Sequence, residues 1–206
     1  MLLEYWSLFD GKGIADMDLG EKIRSARFGS AFRRFLTNTV FDSTFMLLGV
    51  VIGSAFENPD LRLILSTMLT SSLALGISTG VSVYEAESLE QDKRIVELER
   101  ALFRDLDETA IARSAKNTIT VISLLNFLAP LVSCAITISP FLLVALGILE
   151  IGLASWISIG LALSILFLAG ACLGKLGGTN PWIKGLRMLM FGIVAFALGW
   201  WIESLI

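Results

Sequence analysis

The sequence predicts an all-α, polytopic membrane protein with about five transmembrane helices, the second of which extends into the cytoplasm. The chain has 206 residues, of which 55% are apolar. Its apolar runs reach about 20 residues, the length that crosses the ~30 Å hydrocarbon core of a bilayer as a helix. Lysine and arginine are concentrated in alternate segments between these runs. We therefore expect one compact domain embedded in a lipid bilayer.

The composition also excludes several classes of site. The chain contains no histidine, which rules out histidine-based zinc sites, Ser-His triads and histidine proton relays. The formal net charge of −3 argues against a nucleic acid as partner. Cys134 and Cys172 lie in apolar runs at a spacing that fits no metal motif, and we interpret them as packing residues. No nucleophile–base pair is visible, so we expect neither an enzyme nor a tightly bound cofactor.

Residues 1–35 form a polar N-terminal segment that we expect to be cytoplasmic. Residues 1–10 have no basic region and no small-residue cleavage site, so we expect no signal peptide there. Residues 19–35 alternate apolar with basic side chains. Such a stretch either lies in the lipid headgroup layer as an amphipathic helix or is a plain solvated helix, and both interpretations stay open.

Residues 36–84 hold the first two spans. The first is expected at 36–56 and is followed by a tight turn at 57–60, where a proline stops the helix. The second is expected at 63–84. No glycine or proline follows it before residue 108, so we expect one long helix that leaves the membrane and forms most of a charged cytoplasmic extension at 85–116.

Residues 117–206 hold the last three spans. The block 117–174 contains a single charged residue, Glu150. Two spans fit this block better than three, because three would leave too few residues for the turns; Glu150 then marks the junction. Pro130 and Pro140 both fall in the earlier of the two spans, where proline is tolerated if neighbours satisfy the freed carbonyl.

The orientation follows from the basic residues. With a fifth span at 181–204, fifteen of the sixteen lysines and arginines fall on one side of the membrane, and only Arg62 falls on the other. Cytoplasmic loops carry this excess of positive charge. We therefore expect a cytoplasmic N-terminus and a C-terminus on the outside.

Asp42 is the first candidate functional residue, because it lies inside the first span. A carboxylate at membrane depth costs roughly 2.5–3.5 kcal/mol on insertion scales and needs a partner or a task. Asn38, Asp42 and Met46 are spaced four residues apart and share a helix face. Carboxylate, amide and thioether together suit a divalent cation such as Fe²⁺ or Mn²⁺. The alternative is a protonated or hydrogen-bonded structural Asp.

Three further features carry a functional and a structural interpretation each. Glu87 and Glu90 could share a metal ion, or belong to a solvated helix surface on which Glu90 pairs with Arg94. Asn126 with Pro130 marks either a broken helix lining a cavity or a kink. Three GxxxG pairs favour close helix packing or dimerisation; these are Gly49–Gly53, Gly76–Gly80 and Gly170–Gly174.

Several of these segments, taken in order, resemble the vacuolar iron transporter family over about residues 28–206. The first span has an Asp before a glycine-containing segment, the second has a glycine-rich end followed by a helix rich in Glu, Lys and Arg, and the last third repeats short glycine motifs. The matching segments are Asp42 with LGVVIGSA at 48–55, GISTGVSVY at 76–84, FLAGA at 167–171, GLRML at 185–189, and Gly192.

The resemblance implies a homodimer that moves Fe²⁺ or Mn²⁺ out of the cytoplasm in exchange for protons. In that family an Asp in the first span and a Met in the second bind the metal within the membrane. Asp42 matches the Asp, whereas Thr79 stands at the position of the Met and Ser43 follows Asp42 where the family has Gly. The family's cytoplasmic metal-binding domain is reduced here to a single helix and a short return, with Glu87 and Glu90 nearest the membrane.

A hypothesis from another class is a membrane scaffold that transports nothing. In that case the helix at 85–108 would be the surface on which a partner docks. Metal density between two copies of Asp42 would distinguish a transporter from such a scaffold.

Overall fold

A computed structural model describes residues 19–55, 60–103 and 110–205. In these ranges the chain is helical apart from short connections, and five helices follow one another: α1 Leu19–Ala55, α2 Leu61–Leu102, α3 Ala110–Ala145, α4 Ile151–Leu176 and α5 Pro181–Glu203. All five are long and apolar enough to cross a membrane. The prediction of an all-α, multi-pass membrane protein is therefore confirmed.

The chain divides into two compact units, residues 1–35 and 36–206. In the first unit the helix begins at Leu19. The side chains up to Arg33, on which the amphipathic prediction depends, lie outside the part that the structure describes. The second unit contains all the candidate functional residues.

The second helix is too long to lie wholly within a bilayer. α2 has 42 residues, which at 1.5 Å per residue extend about 63 Å, twice the thickness of a hydrocarbon core. One end of α2 must therefore project into water, as expected for the charged stretch after residue 84. The helix ends at Leu102, with Phe103 in a left-handed cap conformation. Residues 104–108, which we expected to continue it, lie outside the described residues.

Side-chain caps explain where two of the helices begin. Asp60 accepts a hydrogen bond from Arg62 N at 2.9 Å and caps α2; the preceding part of the predicted turn, 57–59, lies outside the described residues. Asn180 caps α5 in the same way, accepting from Trp182 N at 3.1 Å. Such a cap satisfies a backbone N–H that has no partner within the helix. The junction between α3 and α4 falls at Glu150, as predicted.

The core of the bundle is formed by side chains from the first four helices. α2 packs on α3, α3 on α4, and α4 on α5. The largest buried apolar side chains come from all four of these helices and are all within 1% of fully buried: Leu47, Leu48, Ile64, Met68, Ile122, Phe141 and Leu166. In a bilayer, contacts between helices replace contacts with lipid tails. How closely the side chains fit together therefore determines how much they stabilise the bundle.

Two of the three GxxxG pairs are used inside the protomer. A Cβ on Gly76 would lie 2.7 Å from Phe127 O on α3, and one on Gly170 would lie 2.9 Å from Lys184 O on α5. These helices approach so closely because the glycines have no side chain. Gly49 and Gly53 differ, because nothing lies within 4 Å of a Cβ built on either one.

α3 stays helical through both of its prolines. Proline has no N–H, so it leaves the carbonyl four residues earlier without its helical donor. Asn126 O, freed by Pro130, accepts from Thr79 Oγ1 on α2 at 3.1 Å. Ile136 O, freed by Pro140, accepts from Ser139 Oγ of the same helix at 2.8 Å. Both carbonyls therefore have a hydrogen-bond donor. This agrees with a structural role for Asn126 and Pro130.

Candidate functional site

One side of α1 faces the other helices and carries hydroxyl groups. Thr39 is buried, and its Oγ1 donates to Asn126 Oδ1 on α3 at 2.8 Å. One turn further along, the buried Ser43 has its Oγ 3.3 Å from Ser133 Oγ on α3 and 3.0 Å from Val40 O. Hydroxyl and amide groups buried in a membrane must find such partners, because lipid offers none. These contacts hold α1 against α3.

The candidate metal ligands lie on the adjoining side of α1, with Asp42 about 60° around the helix axis from Thr39. Asn38 and Asp42 are exposed, and Met46 is half-buried. Asn38 Nδ2 donates to Asp42 Oδ2 at 3.1 Å. Gly49 and Gly53 continue the same side toward the end of the helix and are also exposed. We call these five residues the uncovered face of α1.

Thr79 does not belong to that face. Its Oγ1 lies 2.9 Å from Leu75 O and 3.2 Å from Gly76 O of its own helix, and 3.1 Å from Asn126 O. Leu75 O and Gly76 O lie inside α2, where helical N–H groups donate to them. Asn126 O, in contrast, lacks its helical donor because of Pro130. The hydroxyl proton therefore stabilises the contact between α2 and α3. A role for Thr79 as a metal ligand stays a prediction.

Glu87 and Glu90 lie on the part of α2 that follows the apolar stretch. Their surroundings differ: Glu87 is buried, whereas Glu90 is exposed. Glu90 forms an ion pair with Arg94 at 2.7 Å. The structure thus contains the Glu90–Arg94 pair that is expected if Glu90 belongs to a solvated helix surface. A metal ion shared by the two carboxylates would have to displace Arg94.

The candidate ligands do not form a complete metal site within one protomer. Among the described residues, no three Asp, Glu or Cys side chains come close enough together to hold a metal ion. The uncovered face contributes one carboxylate, one amide and one thioether, all from a single helix. A divalent cation would need further ligands from another molecule, or water.

Two residues of this region were missed in the sequence. Thr39 and Ser133 carry hydroxyls that connect α1 with α3. Their spacing in the sequence could have indicated them. Thr39 lies three residues before Asp42, and Ser133 lies seven residues, or two helical turns, after Asn126. Sequence spacing shows that such residues share a side of their own helix, but not which neighbouring helix they contact.

Comparison with known proteins adds one relative. No protein-family model and no solved structure matches the chain. An uncharacterized protein of Methanocaldococcus jannaschii is 25% identical over 179 residues, which is 85% of this chain and 91% of the relative. The two chains are therefore similar over most of their length.

Proposed function

We propose that the protein is a divalent-metal transporter that moves Fe²⁺ or Mn²⁺ out of the cytoplasm in exchange for protons. The working unit is a homodimer, with the N-terminus in the cytoplasm and the C-terminus outside. Asp42 binds the metal within the membrane, assisted by Asn38 and Met46. Glu87 and Glu90 collect metal at the cytoplasmic end of α2, and Thr79 would have to turn away from α3 to add a hydroxyl oxygen to the site. The metal is cargo, and the remaining partner is the lipid bilayer.

The observation that carries this proposal is a carboxylate exposed on a transmembrane helix. Asp42 lies inside the candidate span Arg34–Ala55 and is exposed on the protomer surface. Facing lipid, it would cost a few kcal/mol. Its hydrogen bond from Asn38 reduces that cost, but both polar groups remain on the outside of the bundle. Within the part of the chain that the structure describes, nothing covers them, and a second molecule could do so.

A second copy of the chain suits this face. Gly49 and Gly53 lie on the same side of α1 with open space above them, and this spacing lets two helices approach closely in lipid. A two-fold dimer brings the same patch of both copies together. Two Asp42 side chains would then face each other as like charges, which repel. A divalent cation between them would neutralise both carboxylates.

The metal-for-proton exchange follows from the same pair. Metal binds to deprotonated carboxylates on one side of the membrane. After its release on the other side, each carboxylate takes up a proton, so the emptied site returns without net charge. This cycle moves two protons inward for each divalent cation that leaves.

Transport can be measured with purified protein in liposomes, as Mn²⁺ or Fe²⁺ flux driven by a pH gradient. Asp42→Asn keeps the shape of the side chain and its acceptor for Asn38, but removes the exchangeable charge. We expect it to abolish coupled flux. Asp92→Asn makes the same chemical change at an exposed carboxylate of α2 that has no part in the proposed site; it is the matched control and should retain most of the flux. Equal flux for wild type and Asp42→Asn would refute the role of Asp42.

Dimer formation can be tested separately. Gly53→Leu places a large side chain on the uncovered face of α1, where the protomer has room for it. Gly160→Leu does the same on α4, where a Cβ also meets nothing within 4 Å. In detergent or liposomes, Gly53→Leu should weaken a dimer and Gly160→Leu should not. Equal association of both variants would place the interface elsewhere.

A specific observation also favours the scaffold alternative. Leu89 and Val96 are exposed, at 59% and 44% of their surface, two turns apart on the charged part of α2. Phe103, seven residues further on, is 96% exposed. Apolar side chains at this interval outside the membrane suit a partner helix. Anomalous scattering from crystals soaked with Fe²⁺ and Mn²⁺ decides between the two functions, because only a transporter should hold metal between two copies of Asp42.

A further inference from the structure

We propose that Asn126 is a positioning residue that fixes the rotation of α1 about its own axis, and with it the direction in which Asp42 points. The link to metal binding rests on the proposed function, whereas the link to the direction of α1 does not.

Asn126 is connected to three helices. Its side chain is fully buried, and Oδ1 accepts from Thr39 Oγ1 of α1 at 2.8 Å. Its Nδ2 donates to Ile122 O of α3 at 2.8 Å, which fixes the orientation of the amide. Its backbone oxygen, freed by Pro130, accepts from Thr79 Oγ1 of α2 at 3.1 Å. A single residue thus relates α1 to the α2–α3 pair.

The contact to Thr39 sets the rotation of α1 because of its position on the helix. Thr39 lies three residues before Asp42, so the two side chains are separated by a fixed angle of about 60° around the helix axis. With Thr39 held against Asn126, Asp42 lies at the edge of the contact between α1 and α3, where it is exposed. The contact between Ser43 and Ser133, one turn further along, repeats the same constraint. Rotation of α1 would break both contacts.

The strength of this constraint comes from the surroundings. In lipid or in a dry helix interface, a buried Thr39 hydroxyl or Asn126 amide that loses its partner finds no water to replace it. Apolar side chains alone would fix the rotation less well, since several rotations can bury a similar area. The uncovered face, including Asp42 and Gly49, is therefore held in one direction.

Four variants test the contact. Thr39→Val keeps the shape of the side chain and removes the hydroxyl, whereas Thr39→Ser keeps the hydroxyl. Asn126→Leu removes the acceptor on α3. Thr44→Val is the matched control, because the Thr44 hydroxyl is equally buried but donates only to Val40 O of α1 itself, at 2.6 Å.

The direction of α1 is measured first, without metal. Both free cysteines are first replaced, by Cys134→Ala and Cys172→Ala. A nitroxide label is then attached to Asp42→Cys or to Val40→Cys in the full-length protein in liposomes. The two positions lie on different sides of α1, so they differ in label mobility and in access to oxygen. We expect Thr39→Val and Asn126→Leu to narrow this difference, while Thr39→Ser and Thr44→Val preserve it. The inference is overturned if Thr39→Val behaves like Thr44→Val.

Metal binding is measured second, with Mn²⁺ alone and the native Asp42. Loss of a group that orients a ligand typically weakens metal affinity about 10-fold, and we expect this for Thr39→Val but not for Thr39→Ser. Unchanged affinity in Thr39→Val would overturn the positioning of a ligand. If wild type binds no Mn²⁺ while the label difference still responds to Thr39→Val, the proposed function fails and the constraint on α1 stands. Should Asn126→Leu not fold, the Thr39 and Thr44 variants still decide the question.

Discussion

The two halves of the bundle are held together by different interactions. α1 is joined to α3 by hydrogen bonds among hydroxyl and amide groups, and α2 is joined to α3 both by a hydrogen bond and by close packing at Gly76, with Asn126 in contact with Thr39 and Thr79. α4 and α5 are joined by glycines and aromatic rings. Gly170 and Gly185 each lie against atoms of the opposite helix at about 3 Å or less from a built Cβ, and Phe196 packs against tryptophans.

The difference shows which half is suited to change. Interhelical hydrogen bonds in membranes contribute about 0.6 kcal/mol each on average, and they can be exchanged for other partners. Closely packed backbones have no such alternative, because any separation loses contact along the whole interface. All candidate metal ligands lie in the half that contains these hydrogen bonds. Within that half α2 and α3 are also closely packed, at Gly76, so α1 is the helix best suited to change; α4 with α5 forms the other half, which we call the rigid half. One hydrogen bond, from Ser158 Oγ to Thr137 O at 2.7 Å, connects α4 with α3.

The largest effect is expected where the rigid half is overfilled. Gly170→Leu would force its side chain against Met188 and the backbone of Lys184, and should lower the free energy of unfolding by about 3 kcal/mol. Gly160→Leu, on the same helix with open space above it, is the control and should change it little. Thermal unfolding in detergent measures both. Similar losses for the two variants would contradict the close approach of α4 and α5.

Removing an aromatic contact should have an intermediate effect. The Phe196 ring lies 5.9 Å from Trp156 and 6.1 Å from Trp200, centroid to centroid. Phe196→Leu keeps an apolar side chain but loses both ring contacts, which should cost about 1 kcal/mol. Phe191→Leu, at a half-exposed ring of the same helix, should cost clearly less. If the two variants unfold at the same temperature, the rings contribute only their apolar area.

A hydrogen bond in the other half should contribute slightly less. Thr79→Val leaves Asn126 O without a donor and should cost about 0.6 kcal/mol. Pro130→Ala returns a helical N–H to the same carbonyl, so Thr79→Val should cost almost nothing in that background. This double-mutant cycle isolates the contact. A full cost of Thr79→Val in the Pro130→Ala background would show that the hydroxyl serves its own helix instead.

The smallest effect is expected on the projecting part of α2. Glu90→Gln removes an ion pair with Arg94 in which both side chains are partly exposed, at 52% and 33%. Pairs of this kind on a helix contribute about 0.3–0.5 kcal/mol, and salt screens them. Thermal unfolding in low and high salt should differ by less for Glu90→Gln than for wild type. Equal salt dependence would mean that the pair does not form in solution.

The number of apolar helices could be predicted from the sequence because it depends on local properties. Apolar run length and the single charge at Glu150 fix the five spans, and the absence of glycine and proline after residue 84 predicts that α2 continues. The end of α2 at Leu102 was harder to predict from the sequence, since no glycine follows it directly. Helix ends of this kind depend on a cap conformation that sequence patterns indicate only weakly.

The use of each small or polar residue could not be predicted, because it depends on which helix lies opposite. Three glycine pairs look alike in the sequence, yet only Gly49 and Gly53 remain uncovered. Pro130 indicates that Asn126 O needs a new donor, but not that Thr79 supplies it. The shared face of Asn38, Asp42 and Met46 follows from helical spacing alone, whereas its direction depends on Thr39 and its distant partner.

The two prolines of α3 imply different freedom of movement for the two ends of that helix. Ser139 satisfies the carbonyl freed by Pro140 from within α3, so that carbonyl needs no neighbouring helix; the bond from Ser158 of α4 is to Thr137 O, three residues before Pro140. The carbonyl freed by Pro130 depends on a hydroxyl of α2, so bending there must carry α2 along. We expect the segment after Pro140 to behave as a hinge of its own, and the segment around Pro130 to move only as one rigid body with the second helix.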